Sequence, residues 1–584
     1  MRTILYIFDR KEKKNLLIIV LLSFMAAAME VLGVSAMLPL INAIVDSKQL
    51  YEKRFFVVIA DLFSVKETDK LIILLCVGVV IIYLIKNFYL MIQFNIRVKF
   101  SYRNRKRIAT RLMRCYLSQP YLFHVEHNVA ELERNINTDV FSFFQVLSAS
   151  ISIIVEGLTV ILIVAYLFWL DPFTTALLGI IICVLFFVMN TIYKSVQVKA
   201  GERARDSDSI LFKWVLQAFG GIKEVKILGM EGYFYDKFLT AYNSNIDAHR
   251  KFNILSQFPQ YILEMIYISG LIMVICIKVV GGGDLSSFML TISAFVVAAI
   301  RLLPSVNRIT VNLSTMMFGK SSIDSIYNDL TEADHLEKLN LKYEKPKSNE
   351  DITFNKHIDI RNVTFRYPSG NKNVLDNASF RIHKNSAVAI VGESGAGKST
   401  LMDILLGVIE PQTGNVCIDD IDIAKSIDKW HDIIGYIPQQ IYLLDDSIRN
   451  NVLFGRDEED ETSKRIWELL DIVKLKDYVS GLDEGIDTVI GEQGARLSGG
   501  QRQRLGIARA LYHKPEVLVM DEATSSLDMD TEKSIIEAVE HLHGNTTLII
   551  VAHRLTTIQF CDVVYEVKNG AVLKRGRFDG KTFV

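Results

Sequence analysis

The chain is poor in cysteine. Its six cysteines, Cys76, Cys115, Cys183, Cys276, Cys417 and Cys561, are scattered through 584 residues with no C-x-x-C pair. That spacing excludes a disulfide framework and a cysteine-based zinc site. Net charge is lacking too: 65 Lys and Arg against 66 Asp and Glu leave a formal charge of −1. A near-neutral chain has no electrostatic footprint for nucleic acid as its main partner. No cleavable signal peptide is expected, because the first apolar run is too long and has no clear small-residue cleavage site.

Apolar sequence, by contrast, is abundant. Half of the residues (50%) are hydrophobic and the mean hydropathy is +0.25. The length exceeds one domain, and the apolar residues are unevenly spread. Residues 16–320 hold long apolar runs, while 350–584 reads as an ordinary soluble α/β domain. The expected division is a membrane domain over 1–320, a polar connection over 321–356 and a second domain over 357–584.

A spanning helix needs about 20 mainly apolar residues. Six stretches qualify, at approximately 16–44, 71–95, 146–169, 173–193, 254–279 and 285–304. The third and fourth are joined by a short turn at Asp171-Pro172. The fifth and sixth are joined by Gly281-Gly282-Gly283-Asp284. Neither hairpin carries Lys or Arg, whereas the N-terminal residues and the connections near 97–145 and 194–253 are rich in both. The positive-inside rule therefore places both termini and the long connections in the cytoplasm. The 46–70 connection lies outside, with an apolar run at Phe55 to Phe63 that suits a short helix at the membrane surface. The two long connections read as helices continuing past the bilayer, each reversing once. Short amphipathic helices are expected near Ser118 to His124 and over Trp214 to Gly221.

Charges at membrane depth are costly and call for an account. Lys86 lies about 15 residues into the second span and Arg301 a similar distance into the sixth, counted from their outer ends. Both fall in the inner-leaflet half. Arg308, seven residues on, shares a helix face with Arg301. Pro304 between them is expected to kink the helix. Glu30, Glu156 and Glu264 are also at membrane depth. Two readings stand side by side: the acids pair structurally with the cations, or the cations hold an anionic headgroup such as phosphate or pyrophosphate in a central cavity.

The second domain carries a fixed series of sites. Gly392-Glu393-Ser394-Gly395-Ala396-Gly397-Lys398-Ser399 fits the phosphate-loop pattern G-x-x-x-x-G-K-[ST] without mismatch. It follows an apolar strand-like run and precedes a helix-like one that opens with Thr400. The backbone N–H groups and the helix dipole would face phosphate oxygens. Lys398 would reach the β- and γ-phosphates of ATP, and Ser399 would bind Mg²⁺. Tyr367, before the loop, offers an adenine-stacking ring. Gln439, after an apolar strand, offers a ligand to metal or to the attacking water. Leu497-Ser498-Gly499-Gly500-Gln501 opens a helix and makes a second anion-binding N-terminus. A nucleotide needs one phosphate loop, so a second cradle points to two subunits sandwiching one ATP. Asp521 ends a buried strand and suits Mg²⁺, and the adjacent Glu522 suits a general base. His553, delivered by another buried strand, suits the γ-phosphate.

In this order the residues resemble an ATP-binding cassette exporter half-transporter over essentially the whole chain. The implied fold class is a membrane all-α domain of six transmembrane helices with cytoplasmic extensions, followed by an α/β P-loop nucleotide-binding domain. The resemblance maps Gly392 to Ser399 onto Walker A, Gln439 onto the Q-loop and Ser498, Gly499, Gly500 and Gln501 onto the signature. It maps Asp521 and Glu522 onto Walker B and the catalytic glutamate, Asp528 onto the D-loop, His553 onto the switch histidine, and Thr488 to Gly494 onto the X-loop.

Within that group the stretches Tyr436 to Gln439 and Arg301 to Ile309 are most similar to bacterial lipid-linked oligosaccharide flippases. Arg301 and Arg308 fit cavity arginines thought to engage a lipid pyrophosphate. Lys86 stands where an arginine is expected, and so does Gln260. The resemblance implies ATP and Mg²⁺ as cofactors, a homodimer in the bacterial inner membrane, contact with membrane lipids, and transfer of an anionic polyprenyl-pyrophosphate-linked glycan to the outer leaflet. Export of another amphiphile (lipid A, phospholipid, peptide or drug) is the alternative. An ATP-gated channel or a regulatory ATPase is a more distant one.

Overall fold

The computed structural model describes residues 6–45, 61, 67–280, 285–342, 353–368, 370–458, 461–521, 536–537, 539–552 and 558–578. They form two compact units: Met1–Gln119 with Phe123–Lys342, and Pro120–Leu122 with Tyr343–Val584.

The first unit is all helix. Its long elements are α1 (Arg10–Val45), α2 (Thr68–Leu117), α3 (Val140–Leu170), α4 (Pro172–Gly220), α5 (Glu231–Val280), α6 (Leu285–Phe318) and α7 (Lys320–Lys342). Six helices are long and apolar enough to cross a membrane. They expose much of that apolar surface: Leu84, Phe88, Phe173, Phe187 and Ile300 are all exposed. Water would not tolerate so large an apolar area, whereas lipid tails match it.

The α3–α4 hairpin turns as expected at Asp171. Its side chain caps α4, accepting from the Thr174 N–H (3.2 Å) and the Thr174 hydroxyl (2.7 Å), and Pro172 fits the first helical turn, where no N–H partner is needed. The expected Gly281–Asp284 turn and Phe55–Phe63 helix lie outside the described residues. α6 continues through Pro304.

The extensions are helical, with one correction. Residues Tyr121–Glu126 form the first short helix. Trp214 to Gly220, expected as the second, instead completes α4. The short helix comes after the glycine pair, at Ile222–Leu228, and ends on left-handed Gly229. No proline interrupts 194–219 and its one glycine, Gly201, stays helical, so α4 runs until Gly220-Gly221 stops it. Asp139, fully buried, ties α3, α4 and α7 together: Arg205 Nε donates to it at 3.0 Å and the Ser322 hydroxyl at 2.6 Å. A π-turn at Asn135–Asp139 precedes it. Helices also approach closely at Gly201, where a Cβ would lie 1.9 Å from the Phe318 carbonyl oxygen. The polar stretch after α6 starts as α7, which buries Ile326, Leu330 and Ala333.

The second unit contains two sheets. A six-stranded sheet has the order β10-β9-β3-β8-β7-β6, formed by β3 (Ala387–Val391), β6 (Ile434–Ile437), β7 (Val517–Asp521), β8 (Thr547–Val551), β9 (Val563–Lys568) and β10 (Ala571–Gly576). All pairs are parallel except β9–β10. A four-stranded antiparallel sheet has the order β2-β1-β4-β5, formed by β1 (His357–Phe365), β2 (Leu375–His383), β4 (Thr413–Ile418) and β5 (Ile421–Asp422). The sequences explain the difference. β3 and β8 are continuous apolar runs buried on both faces, as parallel strands require. β2 mostly alternates, with Leu375, Ala378, Phe380 and Ile382 inside and Ser379, Arg381 and His383 outside.

Candidate functional site

The candidate nucleotide site is built on the parallel strands. In such sheets ligands bind beyond the carboxyl ends of the strands. Register shows which residues reach that edge. Ile390 pairs with Val551, Val551 with Asp521, and Met520 with Ile437. Asp521 therefore ends β7 at that edge, and Gly392 and Gln439 lie two residues beyond the paired Ile390 and Ile437. Three sites separated by up to 129 residues, Gly392, Gln439 and Asp521, are thus brought to one edge of one sheet. Glu522, Asp528 and His553 lie outside the described residues.

The phosphate loop connects β3 to α8 (Lys398–Leu405). Gly392 has φ +155, and a Cβ there would stand 2.4 Å from the Val567 carbonyl oxygen. Gly397, at φ 103, begins the helix in the left-handed region. Glycine at both positions lets the backbone pass where a side chain has no room. Lys398 is buried, and its ammonium donates to the carbonyl oxygens of Gly392 (2.9 Å) and Glu393 (3.0 Å). The lysine is held over the mouth of the loop, where its three donors can turn from carbonyls to phosphate oxygens. Ser399 and Thr400 follow in the first turn of the helix. Tyr367 sits edge-on to Phe365, ring centres 5.0 Å apart, with its hydroxyl 3.1 Å from the Thr400 hydroxyl.

A residue that motif reading missed is Asp403, one turn beyond Ser399. Burial, and then the negative charge of Asp521, push its carboxyl up to about 6. Two carboxyls, Asp403 and Asp521, thus lie near enough for the charge of one to help the other keep its proton. Hard oxygen donors with surplus negative charge fit Mg²⁺.

The signature forms α9 (Gly499–Leu511). Ser498 caps it: the Gln501 N–H donates to the Ser498 hydroxyl (3.2 Å), and the Gln501 side chain accepts from the Ser498 N–H (2.8 Å). That reciprocal box fixes the helix start, and Gly499 leaves its outer side open, since a Cβ there would meet nothing within 4 Å. At the other end Arg509 joins α9 to the chain after Gln439. It donates to the carbonyl oxygens of Tyr442 (2.8 Å) and Asn451 (2.8 Å) and lies over the Phe454 ring at 4.3 Å. Burial pushes its guanidinium down to about 10. Its sequence signal was only a basic residue on a helix, which says nothing of such a role.

The first unit brings the membrane-depth charges together. Glu30 accepts from Lys86 Nζ (3.1 Å) and pairs with Arg301 Nη2 (2.9 Å). Glu156 accepts from Arg308 Nη1 (2.6 Å) and stands 3.8 Å from Arg301 Nη2. Arg301 therefore bridges the two acids. Arg97 donates to Ser152 (3.2 Å), one turn before Glu156. Glu264 is exposed and, among the described residues, takes no part in the cluster. Gln260 accepts from Asn307 Nδ2 (2.8 Å), beside Arg308. Gly33 leaves the space for Lys86, whose Cδ would lie 3.2 Å from a Cβ there.

The ABC transporter family model matches residues 375–525, and the ABC transporter transmembrane region model matches residues 16–300. The chain belongs to the ABC transporters. Built as one membrane unit followed by one nucleotide-binding unit, this ABC transporter has the exporter half-transporter arrangement of a family of ATP-hydrolysing transporters.

An ATP-dependent lipid A-core flippase of Saccharophagus degradans is 32% identical over 364 residues, 62% of this chain and 59% of the relative. Flippases of the same description from Cupriavidus pinatubonensis (27% identical; 79% and 77% covered) and Pseudomonas aeruginosa (28%; 78% and 74%) match over longer stretches. The solved structure of a bacterial Atm1-family ABC exporter with ATP bound aligns with TM-score 0.74 at 20% identity, covering 97% of this chain and 95% of the other. That last likeness bears on the fold.

Proposed function

We propose that this ABC transporter works as a homodimer in the bacterial inner membrane. In this reading it uses ATP to move a lipid with an anionic, phosphate-bearing headgroup from the inner to the outer leaflet. The observation that carries the reading is the cluster of cations at membrane depth: Lys86, Arg301 and Arg308 converge on two buried acids. The ion-paired cluster holds three cations and two acids. A net positive site inside apolar walls suits a phosphorylated headgroup and ill suits a neutral drug or a cationic peptide. Among such cargoes the relatives favour a glycolipid of the lipid A-core type. A polyprenyl-pyrophosphate-linked oligosaccharide shares the same headgroup chemistry and is the second reading, favoured by the stretch Arg301 to Ile309.

Each ATP is held between the phosphate loop of one copy and the signature of the other. Tyr367 stacks on adenine, Lys398 and the amides of Gly392 to Thr400 hold the phosphates, and the open N-terminus of α9, from Ser498 to Gln501, meets the γ-phosphate. Mg²⁺, which neutralises charge on the phosphates, would be held by Ser399, Gln439 and Asp521. Glu522 orients and deprotonates the attacking water, and His553 contacts the γ-phosphate. ATP binding closes the dimer and hydrolysis reopens it.

The test is transfer of lipid A in proteoliposomes given ATP and Mg²⁺. Transfer that is lost in Glu522→Gln is expected. Transport of a peptide or a neutral drug, with no transfer of lipid A or of a polyprenyl-pyrophosphate lipid, would overturn the reading.

A further inference from the structure

The two acids of the membrane cluster are not equivalent. Glu30 uses both oxygens, one on Arg301 (2.9 Å) and one on Lys86 (3.1 Å). Its side chain and that of Lys86 are each 11% exposed. This half is closed. Glu156 uses one oxygen, Oε1, on Arg308 at 2.6 Å. Its other oxygen, Oε2, is buried without a hydrogen-bond partner, 3.8 Å from Arg301 Nη2 and so in ion-pair but not hydrogen-bond range, and Arg301 Nε is likewise unpartnered. The acid is 7% exposed, but Arg308 is 52% exposed. In this pair the carboxylate is fixed inside and the arginine reaches out. A buried carboxylate with an unfilled acceptor favours any cation donor that comes within reach. A phosphate presents only acceptors, so it competes with Glu156 for the same guanidinium.

We infer that Glu156 is a built-in counter-anion: it holds Arg308 in the unloaded transporter, and an anionic headgroup binds by taking Arg308 from it. This rests on the anionic-cargo reading above. Glu156 thereby sets how tightly the headgroup is held and supplies the group that retakes Arg308 when cargo leaves. Without it, Arg308 would have no carboxylate partner, and the cluster would bind anions too firmly to release them. Glu30, with both oxygens engaged on buried partners, anchors Arg301 and Lys86 and does not exchange. The division assigns the two acids opposite effects on affinity, which a purely structural ion-pair network would not produce.

The experiment is equilibrium binding of farnesyl diphosphate to the full chain in detergent, with farnesol and inorganic diphosphate measured separately. Glu156→Gln is expected to bind farnesyl diphosphate about tenfold more tightly, a change of about 1.4 kcal/mol. Arg308→Gln is expected to bind it about tenfold more weakly, and the double variant to match Arg308→Gln. Glu156→Asp, which keeps the charge but shortens the reach to Arg308, should move affinity in the same direction as Glu156→Gln by a smaller factor, and it serves if Glu156→Gln does not fold. Weaker binding in either Glu156 variant, or none changed while Arg308→Gln weakens, would overturn the counter-anion. A wild-type chain that binds farnesol as well as farnesyl diphosphate overturns the anionic-cargo reading itself. Inorganic diphosphate binding as tightly as the lipid, with the Glu156 effect kept, supports the counter-anion and overturns the lipid cargo.

Discussion

Asp403 shows how one side chain reports on the nucleotide site. Its carboxyl is pushed up to about 6 by burial and by Asp521. The folded value lies above the ordinary carboxylate value, so the folded state binds the extra proton between about pH 4 and 6. The penalty for the charged form is absent at low pH and complete once the pH has risen through about 6. Asp403→Asn lacks that penalty. Thermal unfolding should therefore show the variant gaining on wild type as pH rises from 4 to 7, reaching about 2 kcal/mol. A constant difference across that range would refute the linkage. Gly392 makes the second residue-scale case. With φ +155 and a carbonyl oxygen 2.4 Å from any Cβ, Gly392→Ala must shift β9 or the loop. Loss of ATP binding and of about 2 kcal/mol or more is expected, measured by nucleotide-analogue binding and by unfolding.

At the scale of elements, α9 carries two devices at its two ends. The capping box at Ser498 satisfies the N-terminal amides, and Ser498→Ala should cost about 1 kcal/mol of stability. Arg509, by contrast, links α9 to the chain after Gln439 through three contacts. Arg509→Ala leaves the carbonyl oxygen of the buried Asn451, and that of the exposed Tyr442, without these donors, so a larger loss of about 2 kcal/mol is expected. Hydrogen exchange should locate it in residues 439–454, and unchanged protection there would exclude the link.

These elements also show what was legible beforehand. The phosphate loop and signature could be read because their chemistry sits in contiguous residues. The convergence of Lys86 and Arg301 on Glu30 was partly legible, since equal depth in two spans follows from counting, but the acid they share is 56 residues from one and 271 from the other. Arg509 and Asp403 were invisible because their roles depend on what folds against them. In the sequence Gly220-Gly221 reads as the close of a short helix, whereas in the fold it ends the long α4 and the short helix begins beyond it.

For the whole molecule, the membrane unit presents a lipid-matched surface around charges that only pairing makes tolerable. Removing one partner from a buried pair costs about 3–5 kcal/mol. Glu30→Gln, which leaves Lys86 without an acid and Arg301 with only the 3.8 Å approach to Glu156, should therefore lower the unfolding temperature of the purified chain more than Glu156→Gln does, because Arg308 can turn outward. Equal losses would mean that the two halves of the cluster are held alike. The central claim joins this unit to the other: ATP turnover at the sheet edge drives an anionic lipid past these cations. The most direct measurement is leaflet-to-leaflet transfer of lipid A in proteoliposomes with ATP and Mg²⁺, compared between wild type, Lys398→Ala and Arg308→Gln. The account predicts transfer by wild type, none by Lys398→Ala and a reduction of at least about tenfold for Arg308→Gln. Transfer by Arg308→Gln at the wild-type rate, or transfer that continues in Lys398→Ala, would contradict it.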